Sequence, residues 1–109
     1  MVRSLKNEST RIAPYARVNV VEPGWTKTHM ARPALQQDDV VRNVVKTLAV
    51  RQIARAQDIA RAVAFLASPA LSRHISGEAL TVAGGMEGRV LWEDGEIDVE
   101  GVRTRLDRE

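Results

Sequence analysis

An α/β fold built on two parallel strands joined through helices is predicted for this chain of 109 residues. Three observations predict it. Residues 17–21 hold a β-branched run, Val18, Val20 and Val21, cut off by Pro23-Gly24. A second short run, residues 78–82, alternates and is cut off by Gly84-Gly85. Between the two lie stretches with helical spacing. β-branched runs favour strands, and strands connected through helices pair in parallel by a right-handed crossover.

The elements follow in order. Residues 1–12 read as a helix with Val2, Leu5 and Ile12 on one face and Arg3, Lys6, Asn7 and Glu8 elsewhere. Nothing caps its start, so it reads as the end of a longer helix. Pro14 closes it, because the residue before a proline avoids the helical region. The first strand should stop at Glu22 or Pro23, since proline cannot continue a ladder. Gly24 then permits φ > 0 or a close backbone approach. Thr26, Lys27, Thr28 and His29 come just past the strand end. Ligands of open α/β sheets bind off the carboxyl ends of parallel strands, so residues 17–30 are the expected ligand site.

Pro33 is a further breaker. Asp38 or Asp39 makes a good N-cap. The helix that follows carries an apolar stripe of Val40, Val41, Val44, Val45 and Leu48. Another helix starts near Gln57-Asp58, with Ile59, Ala62, Val63 and Leu66 on its apolar face and Phe65 beside it. The acidic side chain suits the helix N-terminus. Ser68-Pro69 ends that helix, and Ile75-Ser76-Gly77 turns the chain into the second strand.

Composition narrows the class. Hydrophobic residues make up 44% and aromatic ones only 4%, so the core is expected to consist of Val, Ala, Leu and Ile. The absence of cysteine excludes a disulfide framework and a thiolate metal site. His29 and His74 have no partner at metal-ligand spacing, and no metal is expected. No run approaches the roughly 18 apolar residues of a membrane span. No signal-peptide core follows Met1. The expectation is a soluble, cytoplasmic protein with no membrane partner.

Net charge is +2 but unevenly spread, +6 through Met86 and −4 from Glu87 onward. The basic body admits nucleic acid as a partner, but a solvated arginine-rich surface is the simpler reading. Residues 1–92 are read as the folded unit. Residues 93–109 are charged and without period, a tail expected to lack fixed structure and free to fold back on the basic body. Val90-Leu91-Trp92 is expected to pack on a neighbouring subunit or on parts of the fold outside the chain.

Three motifs resemble the carboxyl-terminal part of the short-chain dehydrogenase/reductase family. Arg17-Val18-Asn19 with Pro23-Gly24 and Thr28 resembles its R-V-N…P-G-x-x-x-T segment. Gln57-Asp58-Ile59-Ala60 with Phe65-Leu66-Ala67-Ser68 resembles its P-E-D-[IV]-A…F-L-A-S helix. Ile75-Ser76-Gly77 with Gly84-Gly85-Met86 resembles its I-T-G…D-G-G ending. The resemblance covers residues 1–86 and rests on the order and spacing of the three. It implies a partial Rossmann-type doubly wound fold, the last two parallel strands with their crossover helices.

The resemblance also implies roles. Pro23 and Gly24 would pass close to the nicotinamide half of NAD or NADP. The backbone at Thr26 would hydrogen-bond the carboxamide, and the Thr28 hydroxyl would bond the same amide or a phosphate. Residues 31–48 would be the substrate lid. The substrate would be a small carbonyl or alcohol compound. The departures are Thr26 for Ile or Val, His29 and Ala56 for proline, and Ala83 for the aspartate before Gly-Gly.

Larger parts of the family's machinery have no counterpart. The glycine-rich phosphate turn is absent, and so are the catalytic Ser and the Tyr-x-x-x-Lys pair. Tyr15 is the sole tyrosine, and Asn19 stands four residues after it. No catalytic residue is therefore assigned, and the chain reads as a truncated family member inactive alone. The alternatives are a non-catalytic partner that pairs with full-length family subunits and a basic nucleic-acid-binding module.

Overall fold

The computed structural model describes residues 1–108. The chain runs through α1 (Val2–Ile12), β1 (Val20–Pro23), β2 (Thr26–Lys27), α2 (Arg32–Leu35), α3 (Asp38–Val45), β3 (Ala54–Arg55), α4 (Ala56–Ala67), α5 (Pro69–Ser72), β4 (Ala79–Val82), a 3₁₀ turn (Asp94–Glu96) and α6 (Val99–Leu106). β1 and β4 pair in parallel, with Val20 opposite Ala79 and Pro23 opposite Val82. This is the expected pair, with helices in its crossover. A second parallel pair, Thr26 opposite Ala54 and Lys27 opposite Arg55, has too few residues to leave a sequence signal.

β1 starts at Val20, later than the expected residue 17, because the residues before it bind through their side chains. The Arg17 guanidinium donates to the carbonyls of Ser72 and Ile75 at 2.9 and 3.2 Å. The Asn19 amide donates to the Ile75 carbonyl at 3.0 Å, and its oxygen accepts the Glu78 N–H at 3.1 Å. Gly77, at φ +79, donates its N–H to the Val18 carbonyl at 2.7 Å. These bonds place β4 beside β1 before the ladder begins.

α3 is capped at Gln37, not at Asp38 or Asp39; both acids lie in its first turn, against the positive end of the helix dipole. Val41 and Val45 are fully buried, and Leu48 is buried just beyond the helix end. α4 opens at Ala56. The Asp58 carboxylate accepts the Arg55 backbone N–H at 2.8 Å, which satisfies one of the donors that a helix start leaves open. Ser68 ends this helix, and Pro69 begins the short α5.

The segment expected to lack structure differs most. Residues 99–106 form α6, capped by Asp98, whose carboxylate accepts the Gly101 N–H at 3.0 Å. Val99, Val102 and Leu106 fall on one face at helical spacing and are buried together with Ile97. The dense charge between them hides this stripe in the sequence. They join Leu35, Val41, Val45 and Ile53 in one apolar cluster. Glu109, the last residue of the expected tail, lies outside the described residues. The tail does fold back on basic residues: Asp107 meets Lys27 at 2.5 Å, and Asp94 pairs with Lys46.

Trp92 packs within the chain. It lies against the same cluster, donates its ring N–H to the Leu48 carbonyl at 2.7 Å and carries the Arg51 guanidinium 4.0 Å above its ring. Val90 stays exposed.

The other end is bare. α1 buries none of its residues, and Leu5, Ile12, Val63 and Phe65 are exposed. The radius of gyration is 17.0 Å, where a compact chain of this length would have about 13 Å. Among the described residues, β1 has β4 as its only partner.

Truncating either side of the α3–α6 contact should be costly. Val45→Ala and Val102→Ala are each expected to lower the unfolding free energy by about 2 kcal/mol, measured by urea unfolding. Together they should depart from additivity, since both line one cluster. Val90→Ala should change it by no more than about 0.5 kcal/mol. An equal loss at all three positions would contradict this account.

Candidate functional site

Pro23, Gly24, Thr26 and Thr28 all line one open cleft of 740 Å³ beyond the carboxyl end of β1. Trp25 completes this wall, Ala56, Ile59 and Ala60 of α4 form the opposite one, and Met86 closes the end. The wall residues of α4 were not foreseen as such. Ala56 and Ala60 stand one helical turn apart, and their small side chains leave the space that larger ones would fill. Ile59 reads in sequence as an ordinary core position.

Gly24 is required by proximity, not by backbone angle. It is absent from the positive-φ glycines. A Cβ built on it would lie 2.6 Å from the Ala83 Cβ and 2.8 Å from the Ala83 Cα. Its N–H donates to the Val82 carbonyl at 3.0 Å, so the chain leaves β1 pressed against the end of β4. Ala83, where the resemblance expects aspartate, is the small residue at this contact.

β2 then sets the polar groups. Ala54 donates its N–H to the Trp25 carbonyl at 3.1 Å. In a strand, successive residues turn their peptide groups to opposite edges. Trp25 and Lys27 therefore serve β3, and the N–H and C=O of Thr26 point to the other edge. The Thr26 hydroxyl donates to the Gly24 carbonyl at 3.0 Å and is engaged locally. The Thr28 hydroxyl oxygen accepts the Ala31 N–H at 3.2 Å, and its own proton is left to donate.

Among the described residues, no ionisable side chain lines this cleft. Lys27, between the two threonines, pairs with Asp107 instead. The Lys27 ammonium, through its hydrogen bond first and its charge second, holds the Asp107 carboxyl below its usual value. Lys46 does the same to Asp94. Asp58 is lowered chiefly by the Arg55 backbone N–H, against some desolvation. Tyr15 lies away from the cleft, exposed beside the outer flank of β1 with Arg17 and Asn19. Among the described residues there is no group of three or more metal-ligating side chains. Among the described residues, no helix is long and apolar enough to cross a membrane.

The arrangement fits one end of a nicotinamide dinucleotide. A carboxamide needs a donor and an acceptor at fixed positions, which the Thr26 peptide groups and the Thr28 hydroxyl supply. The apolar walls suit a flat ring. The phosphates are not provided for. Gly84 and Gly85 have positive φ, but they lean on Val50 and Ala49 and open no cradle. The start of α4 is already occupied by Asp58.

The enoyl-(acyl carrier protein) reductase family matches residues 1–87. Tropinone reductase-like 3 of Erythroxylum coca is 38% identical over 79 residues, 72% of this chain and 30% of that protein. The short-chain dehydrogenase/reductase SDRA of Arabidopsis thaliana is 38% identical over 82 residues, 75% of this chain and 32% of that protein. The chain thus spans about a third of the curated relatives it matches. Among solved structures, a 7α-hydroxysteroid dehydrogenase complexed with NADH and 7-oxoglycochenodeoxycholic acid superposes with a TM-score of 0.69 at 29% identity, over 82% of this chain and 33% of that one.

Two outcomes follow from the local geometry. Gly24→Ala should destabilise the chain by about 1–3 kcal/mol in urea unfolding, because the added methyl meets backbone. Gly95→Ala, with open space around it, should not. Asp58→Ala should cost about 1 kcal/mol at pH 7. Because the folded carboxyl is lowered, its contribution is present above the unfolded value near 4 and is lost as pH falls through the folded one. The gap between the parent and Asp58→Ala should narrow in urea unfolding as the pH is lowered below about 4.

Proposed function

The chain belongs to the short-chain dehydrogenase/reductase family, and on that premise we propose that it supplies the nicotinamide-facing end of an NAD- or NADP-dependent oxidoreductase of carbonyl and alcohol substrates. One observation carries the proposal. The four residues singled out from the sequence line a single apolar cleft, in which the Thr28 hydroxyl keeps its own proton to donate. The bound cofactor supplies a hydride to, or takes one from, the substrate carbon.

The residues of this chain hold and shield. Pro23 and Gly24 set the turn close against Ala83. Thr26 and Thr28 fix the amide, and Trp25, Ile59 and Met86 keep water from the ring. Proton transfer is not assigned to any residue here, since no ionisable group reaches the cleft. The isolated chain is accordingly expected to show no turnover.

A second reading concerns a partner. Among the described residues the outer edge of β1 is unpaired, and Val21, Val63 and Leu66 flank it beside a 690 Å³ hollow. Pairing with a full-length family subunit through this edge would cover it. Co-purification with such a subunit tests the reading, and a folded, soluble monomer on sizing counts against it.

The main proposal is tested by exchange of parts. Residues 1–86 are put in place of the matching third of an intact short-chain reductase. The chimera is expected to bind NADH or NADPH, with Thr28→Val weakening binding about 3- to 10-fold, the equivalent of one hydrogen bond. A folded chimera that binds neither dinucleotide would refute it.

A further inference from the structure

We propose that residues 93–107 are a strap, pinned by Arg103, that keeps the lid segment, residues 31–48, parked beside the cleft. The Arg103 side chain is half-buried and joins three pieces of chain. Its Nε donates to the Leu35 carbonyl at 3.2 Å and one terminal nitrogen donates to the Gln36 carbonyl at 3.0 Å, at the carboxyl end of α2. The other terminal nitrogen pairs with Asp38, in the first turn of α3, at 2.6 Å and with Glu100 of α6 at 3.4 Å. One guanidinium thus fixes the bend between the two lid helices to the strap. Lysine, a point charge without a fork, cannot do this.

The rest of the strap repeats the attachment. Arg42 of α3 donates to the Asp94 carbonyl at 2.8 Å, and Lys46 pairs with the Asp94 carboxylate. Val99, Val102 and Leu106 lie against Val41 and Val45. Neither α2 nor α3 contributes a residue to the cleft wall. The family match ends at residue 87, so the strap lies beyond it. Lid and strap are one packed unit, and the lid reaches the cleft only when the strap lets go.

The parking role rests on reading the cleft as the nicotinamide end, but its test reads only the contact between the strap and residues 31–48 and uses no dinucleotide, so failure of the one is distinguishable from failure of the other. The chain has no cysteine, so spin labels can be placed at Asp39→Cys on α3 and Arg61→Cys on α4, both exposed. The parent is expected to give one narrow distance distribution, and Arg103→Ala and Arg103→Lys broader ones. Native-state hydrogen exchange of the unmodified chain in sub-denaturing urea provides the second measurement. Amides of α3 and α6 should open together, at least 10-fold more often than those of β1 and β4. An unchanged distance distribution, α3 opening apart from α6, or all four elements opening together would each overturn the proposal.

Discussion

The parallel pairing of β1 with β4 is the constraint on which the rest depends. Two strands that run the same way cannot be joined by a tight turn, so the chain must leave β1, travel and return. Everything between Gly24 and Glu78 is that journey. It starts where Gly24 is pressed against Ala83, which puts Trp25, Thr26 and Thr28 at the carboxyl ends of both strands at once. It ends where Arg17 and Asn19 grip the carbonyls of Ser72 and Ile75. The cleft is what the crossover leaves open between its first residues and α4.

A second centre of stability lies off the sheet. The apolar cluster between α3 and α6 holds the most deeply buried side chains of the chain, while the sheet end exposes Leu5, Ile12 and Val63. Magnitudes decide what holds it. Burying a valine, leucine or isoleucine is worth about 1.5–3 kcal/mol before entropy is counted. Exposed ion pairs are worth about 0–1 kcal/mol each. The carboxylates of the Lys27–Asp107 and Lys46–Asp94 pairs are largely exposed. Their charges set where the tail returns, and Ile97, Val99, Val102 and Leu106 keep it there.

Much was legible in the sequence because it depends on local chemistry. Proline and glycine end strands, so Pro23-Gly24 and Gly84-Gly85 could be read as stops, and β1 and β4 run up to them. The valine stripe of α3 and the placing of Asp58 in the first turn of α4 follow from helical period and dipole. What misled were residues whose role is settled at long range. The start of β1 moved because Arg17 and Asn19 found acceptors more than fifty residues away. α6 was hidden because three apolar residues among eight, flanked by charge, form a stripe only when a partner face exists. The place of Trp92 has no local signal, because its partner, the Leu48 carbonyl, is 44 residues distant.

The sequence by itself determined the α/β class, the order of α1, β1, α3, α4 and β4, and the turn that carries Pro23, Gly24, Thr26 and Thr28. Each is a matter of residue type at a short spacing. Only the tertiary structure decided that Gly24 is needed for closeness to Ala83, that the Thr26 peptide groups face away from β3, and that the charged tail becomes a helix against α3. The physical reason is the same in all three. A peptide group's direction, a forbidden methyl and a buried valine depend on what stands opposite, and what stands opposite comes from a distant part of the chain.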